Sequence, residues 1–261
     1  MDLGLKNKVA LVLAAGGGLG ERIAGTLAEE GATVCLSDVN ETALNGVAGA
    51  IVKNGGTAKV FPADLSNLET LDSMVEAIVS TVGEVDILVN ITGGPPATPT
   101  AGIGSEAWEK NFRAMVLSVT RITDLVLPGM RRRKWGRIIT STSSGVVTPI
   151  PDLGLSNALR STLVGWSKTL SREVAADGVT VNIIIPGRIA TKRIRQLDEM
   201  RATREGKPLH DVVAASTGTI PMRRYGEPQE YADMVTFLAS SRASYVTGSM
   251  VRVDGGLIGS I

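Results

Sequence analysis

Val9-Ala-Leu-Val-Leu-Ala-Ala-Gly-Gly-Gly-Leu-Gly20 is an apolar run that breaks into glycines and resumes as a helix. Residues 9–13 are all apolar and have the length of a short strand buried on both faces. Gly16, Gly17, Gly18 and Gly20 follow as a turn with almost no side chain. In residues 21–30 the apolar positions Ile23, Ala24, Leu27 and Ala28 recur at helical spacing. The glycines therefore lie between the carboxyl end of a strand and the amino end of a helix. A parallel α/β sheet binds phosphates at that place, because the free N–H groups and positive end of the helix face the crevice. Two readings stay open: a dinucleotide cradle, or a strand-to-helix turn with no ligand. The common G-x-G-x-x-G spacing does not occur, since position 21 is Glu.

Working outward, residues 32–38 form a second β-rich run that ends on Asp38, eighteen positions past Gly20. In dinucleotide folds an acid at the end of the second strand bonds the adenosine ribose hydroxyls and repels a 2′-phosphate. Asp38 thus favours NAD over NADP, with a turn-forming aspartate as the bland alternative. Helical patterning over residues 41–53 and 68–82 alternates with strands at 58–61 and 85–90. Asp64-Leu65 follows the first of these strands, and Asn90-Ile-Thr-Gly-Gly-Pro-Pro96 ends the second. An unbroken helix is expected over residues 106–133, then a strand at 136–141, a helix at 155–176 and a strand at 179–185 that stops at Pro186-Gly187. Gly226-Glu-Pro228 introduces a last helix, and residues 250–253 form a closing strand. Strands alternating with helices in this way imply one α/β domain over residues 1–261, built on a doubly wound parallel sheet.

The bulk numbers exclude several classes. A chain of 261 residues with 43% hydrophobic content buries a large core, and its net charge of +1 creates no field for nucleic acid or an anionic membrane. The single cysteine, Cys35, allows no internal disulfide and fits a reducing compartment, the cytoplasm. No signal peptide, membrane-spanning run or metal-ligand cluster is legible. Arg131-Arg-Arg-Lys134 closes a helix, where cations complement the dipole, and reads as a solvated cap. Residues 189–220 mix many cations and anions and read as a helical insertion over the strand ends, a substrate lid. Its basic excess suits either an acidic substrate or a solvated face. His210, the only histidine, lies there and reads as a surface residue.

The ordered set Gly18-Leu-Gly20, Asp64-Leu65, Asn90 to Gly93, Gly136-Arg-Ile-Ile139 with Ser143, Pro186-Gly187 with Thr191, Tyr245-Val-Thr-Gly248 and Val253-Asp-Gly-Gly256 resembles the short-chain dehydrogenase/reductase family over nearly the whole chain. The closest likeness is to its 3-oxoacyl-[acyl-carrier-protein] reductase-like branch. The resemblance implies a single-domain Rossmann fold with a seven-stranded parallel sheet flanked by helices, a small-molecule substrate, and a homotetramer or dimer. It also implies a nicotinamide cofactor held by Ala14, Gly16, Gly17, Gly18, Leu19, Gly20, Asp38, Asp64, Leu65, Asn90, Thr92, Gly93, Arg160, Pro186, Gly187, Ile189 and Thr191.

Family chemistry uses a Ser-Tyr-Lys set completed by an Asn. Ser143 matches the serine, but Ser156 stands in the tyrosine position, Arg160 in the lysine position and Met115 in the asparagine position. A serine hydroxyl is far harder to ionise than a phenol, and arginine stays protonated at working pH. Ala14 replaces a glycine of the family's turn and fits without strain if its φ is negative. Two functions follow from the resemblance. One is an NAD(P)-linked oxidoreductase acting on a carbonyl or alcohol, with Ser143, Ser156 and Arg160 forming an altered relay completed by water. The other is a catalytically inactive protein that binds a nucleotide or metabolite on the same fold. Non-redox chemistry on this scaffold is a third possibility, with no residues to carry it.

Overall fold

A computed structural model describes residues 1–261. The seven strands are β1 (Val9–Leu13), β2 (Thr33–Ser37), β3 (Thr57–Val60), β4 (Ile87–Asn90), β5 (Gly136–Ser141), β6 (Val179–Pro186) and β7 (Met250–Val253). They form one parallel sheet in the order β3-β2-β1-β4-β5-β6-β7. The order reverses between β1 and β4, whose carboxyl ends therefore open a crevice. The glycine turn leaves β1 there, and Thr92-Gly93-Gly94 leaves β4 beside it.

The continuous apolar runs follow from burial on two faces. Ala10 and Val12 of β1 enter the core shared with Ile23 and Leu27 of α1 (Gly18–Glu29) and with Val235 of α9 (Pro228–Ala239). Leu11 and Leu13, pointing the other way, pack with Leu71 and Ile78 of α3 (Leu68–Thr81) and Ile122 and Val126 of α5 (Ser118–Arg132). A strand covered on both sides has no polar face, so alternation vanishes. α2 (Glu41–Lys53) starts at Asn40, whose side chain accepts from the Ala43 N–H, and α9 starts with a Glu227/Glu230 capping box and Pro228 in its first turn.

The helix expected over residues 106–133 is interrupted. It comprises α4 (Ser105–Phe112), a π turn at Arg113–Leu117, and α5. The wider turn falls where Met115, Val116 and Val119 pack against Leu155, Leu159 and Leu163 of α6 (Gly154–Val174). Apolar patterning cannot register one extra residue in a turn, because the same side chains stay on the buried side. The basic run at its end is a solvated cap with anchors: Arg131 and Lys134 meet Asp177, Arg132 and Arg133 meet Glu84, and Arg133 also meets Asp86.

Residues 189–220 contain two helices, α7 (Lys192–Glu205) and α8 (Leu209–Gly218), at the carboxyl ends of the strands. The two ends of this excursion are tied together. Ala190 N–H donates to Gly226 O at 2.8 Å, and Gly226 N–H donates to Arg188 O at 2.9 Å. No helix is long and apolar enough to cross a membrane.

Candidate functional site

The crevice begins at the glycine turn. Gly17 precedes α1 with an extended φ of 170°, and Gly18 has φ +59°. Gly20 has a different duty: a Cβ there would lie 2.2 Å from the Ala14 carbonyl oxygen and 3.0 Å from Ala15 Cα, so only glycine lets α1 sit this close to the end of β1. Leu19 packs partly against the core above it. Ala14 departs from expectation. Its φ is +52°, in the left-handed region, because the chain must reverse within one residue of Leu13 to place Ala15 N–H on Ser37 O at 3.0 Å. An L side chain there costs about 1–2 kcal/mol. Ala14→Gly is therefore expected to raise stability by about 1 kcal/mol, or about 2–4 °C in Tm for a chain of this size. A melting curve that moves down instead contradicts the strain.

Asp38 follows β2 and faces that turn. Its Oδ2 accepts from Gly16 N–H at 3.2 Å and its Oδ1 from Asn40 N–H at 3.0 Å. A cavity of about 340 Å³ extends from it, lined by Ala14, Asp38, Asp64, Leu65, Gly93 and Met115 among others. Asp64 is held ionised by the backbone N–H and hydroxyl of Ser66, which lower its pKa below the ordinary carboxylate value. Bare glycine backbone at the turn, an acid at the end of β2 and an apolar floor suit a nucleoside diphosphate. Asn90 lies beneath, fully buried, with Nδ2 on Thr140 Oγ1 at 3.3 Å and Oδ1 without a partner.

Gly93 and Gly94 line this cavity and also a larger one of about 760 Å³. The second cavity brings together Ser143, Ser156 and Arg160 with Thr92, Pro186 and Gly187 from two other strand ends. Ser143 Oγ accepts from Gly145 N–H at 3.1 Å, which leaves its own O–H free to donate. Ser156 Oγ accepts from Arg160 Nε at 3.3 Å. Arg160 Nη2 donates to Thr92 O at 3.3 Å and Gly93 O at 3.0 Å, and Nη1 to Ser141 O at 3.4 Å. Of the five N–H groups of this guanidinium, four are committed and one Nη1 hydrogen is left. The sequence-based expectation that Arg160 holds a ribose narrows to that single donor. No carboxylate compensates the charge, and burial pushes the Arg160 pKa down to about 10.

No tyrosine lines the larger cavity. Tyr231 is fully buried, with its hydroxyl 2.7 Å from Ser141 Oγ, and burial raises its pKa. Tyr225 donates to Asp198 Oδ2 at 2.7 Å, and burial together with that bond raises its pKa as well. Asp198 is itself buried on α7 and pairs with Arg188 Nη1 at 2.9 Å, so one carboxylate ties the lid to the loop after β6. Met115, 2% exposed, belongs to an apolar cluster.

Three expected cofactor residues have structural duties. Ile189 is 3% exposed. Thr191 caps α7, its hydroxyl accepting from Ile194 N–H at 3.4 Å, yet its Cγ2 also lies 4.0 Å from the position of a Cβ on Gly18. Gly187 allows close packing on Asp254, whose Cα would lie 2.6 Å from a Cβ there. His210 is exposed beside Asp211. The residues that sequence reasoning missed are Thr142 and Arg188, which line the larger cavity together with Arg193, one of the basic residues of the lid. Their only signal was position: next to Ser143 and after Pro186-Gly187.

The family described as Enoyl-(Acyl carrier protein) reductase matches residues 13–258. The 3-oxoacyl-[acyl-carrier-protein] reductase FabG of Vibrio cholerae is 34% identical over 257 residues, spanning 98% of this chain and 99% of that protein. The L-sorbose reductase of Gluconobacter frateurii, solved with NADPH and L-sorbose, superposes with a TM-score of 0.95 at 30% identity over 100% of both chains. A single-substitution variant of the actinorhodin polyketide ketoreductase, solved with NADPH, gives a TM-score of 0.92 at 31% identity over 96% of this chain and 97% of that one. Sheet order, glycine turn and whole-length likeness converge: the chain belongs to the short-chain dehydrogenase/reductase family, in its 3-oxoacyl-[acyl-carrier-protein] reductase-like branch.

Proposed function

We propose that this protein is a nicotinamide-dependent oxidoreductase that interconverts a carbonyl and an alcohol through an altered proton path. The observation that carries this is the continuity of the Asp38 groove with the Ser143–Ser156–Arg160 cavity through Gly93 and Gly94. The nicotinamide cofactor supplies or accepts the hydride when bound. Gly16, Gly17, Gly18, Leu19 and Gly20 present backbone to its pyrophosphate, Asp38 and Asp64 flank its adenosine, and Thr92, Gly93, Pro186, Gly187 and Thr191 border its other half.

Ser143 donates its free O–H to the substrate oxygen and orients it. Arg160 places an uncompensated positive charge beside Ser156, which stabilises negative charge developing on that oxygen. Neither Ser156 nor Arg160 releases a proton readily, so the proton exchanges with solvent through water at Ser156. This path is slower than one through a phenol. Residues 189–220 act as the lid. Cytoplasmic residence and assembly as a homotetramer or dimer complete the reading.

NAD is the proposed cofactor, although the two solved reductases named above hold NADPH. Asp38 carries the argument: its carboxylate lies against Gly16, where a 2′-phosphate would meet a like charge. NADH is expected to raise Tm more than NADPH at equal concentration, and Asp38→Ser is expected to erase most of that difference. Greater stabilisation by NADPH in the unmodified protein would falsify the assignment.

The second reading, a binder without turnover, is favoured by one feature. Arg160 spends four of its five donors on its own protein. With NADH shown to bind, loss of NADH absorbance across a panel of ketones, aldehydes and oxo acids tests the two. Turnover supports the oxidoreductase; binding with no turnover on any member supports the binder.

A further inference from the structure

The charge lining the larger cavity is one-sided. Arg160, Arg188 and Arg193 line it, and no aspartate or glutamate does. Asp198 balances Arg188 through Nη1 alone, which leaves further donors on that guanidinium. Arg193 takes part in no ion pair, and Arg160 bonds only to carbonyls and a hydroxyl.

Arg193 also lies where a helix least tolerates it. α7 opens with Lys192, Arg193 and Arg195, with no acidic residue in its first turn. Cations at a helix amino end oppose the dipole and weaken the helix. Arg195 is offset by Glu199, but Lys192 and Arg193 are not. The first two turns of α7 form one wall of the cavity, lined by Arg193, Ile194 and Leu197.

The cavity also borders two polar side chains: Thr92 and Thr142 are 8% and 5% exposed, and each has an enclosed hydroxyl with no partner in the protein.

We infer that the substrate is a small organic anion, a hydroxy or oxo carboxylate. Its carboxylate is held by Arg193 and the free donors of Arg188 at the amino end of α7. Its reacting oxygen lies toward Ser143 and Ser156. A planar guanidinium pair matches a carboxylate better than it matches a neutral polyol. This inference rests on the cavity being the substrate site proposed above.

Calorimetric titration of the full chain, alone and saturated with NADH, compares charged and neutral partners of similar size. Gluconate is paired with sorbitol, and 3-hydroxybutanoate with its methyl ester. At least one carboxylate is expected to bind about tenfold more tightly than its neutral partner, and Arg193→Gln to remove that advantage while leaving the neutral partner unchanged. The melting temperature of the variant is expected to stay level or rise, because the replaced cation opposes the helix dipole. Equal affinity within both pairs overturns the inference, as does carboxylate binding indifferent to Arg193→Gln, or no carboxylate binding at all. Arg193-dependent binding without hydride transfer would leave the inference standing and remove the oxidoreductase. Turnover of neutral substrates alone would do the reverse.

Discussion

Introducing a phenol and an ammonium group, Ser156→Tyr with Arg160→Lys, is expected to raise the rate of NADH-dependent carbonyl reduction by about 10²-fold or more, the usual contribution of one positioned acid. Ser156 borders a cavity of about 760 Å³, so a tyrosine ring has space to enter from the α6 side. A lysine at position 160 gives up the fork that now reaches Ser141 O, Thr92 O and Gly93 O. Its ammonium then lies beside the new phenol and lowers its pKa. Met115 is best left alone, although the family's asparagine belongs there by resemblance. It sits among Val116, Val119, Leu155, Leu159 and Leu163, and a buried amide without partners would cost about 1–3 kcal/mol. Stopped-flow absorbance on unmodified and double-variant protein reads the result. Comparable rates in the two show that the present residues already carry the proton. Turnover confined to the double variant assigns the unmodified chain to binding alone.

Gly20→Ala is expected to cost about 3 kcal/mol, the upper part of the overpacking range. The added methyl carbon would lie 2.2 Å from the carbonyl oxygen of Ala14, 2.8 Å from its carbonyl carbon and 3.0 Å from Ala15 Cα. All three are backbone atoms and cannot rotate away as a flexible side chain would. Relief requires α1 to withdraw from the end of β1, where Ile23 and Leu27 share a core with Ala10 and Val12. The same withdrawal would lift the N–H groups of the first turn away from the pyrophosphate. Thermal melting should fall by about 6–12 °C, and the stabilisation by NADH should fall with it. Gly17→Ala is the control, because nothing lies within 4 Å of a Cβ there and its φ of 170° is open to any residue. Equal losses in the two variants would show that the turn needs glycine generally and not close approach at position 20.

Much of the architecture was legible because it rests on patterns along one dimension. The run from Val9 to Leu13 is apolar at every position since both faces are covered, and the glycines that end it mark where a helix must come close. Asp38 was identified by its distance from that turn, and the structure places its carboxylate on Gly16. The break in the 106–133 helix was not legible, since Met115, Val116 and Val119 keep the same buried side in an α or a π turn.

Ala14 shows the boundary most plainly. Its identity is in the sequence, but its φ of +52° follows from where β2 and α1 require the chain to go. Arg160 is similar: the sequence supplies a cation one helical turn beyond Ser156, while the carbonyls of Ser141, Thr92 and Gly93 that consume its donors come from two other strand ends.

By itself, then, the sequence determined the α/β class, the order of the seven strands and the place of the glycine turn between β1 and α1, and it put Ser156 and Arg160 where the family resemblance expects a tyrosine and a lysine. Each of these depends on residue type and spacing within a short segment. Only the tertiary structure decided which donors of Arg160 are left, that Asp198 joins the lid to Arg188 and Tyr225, and that three arginines share one cavity without a carboxylate. Those facts depend on directions and distances between segments far apart in the chain, which hydrogen-bond geometry and side-chain packing fix only once the sheet has assembled.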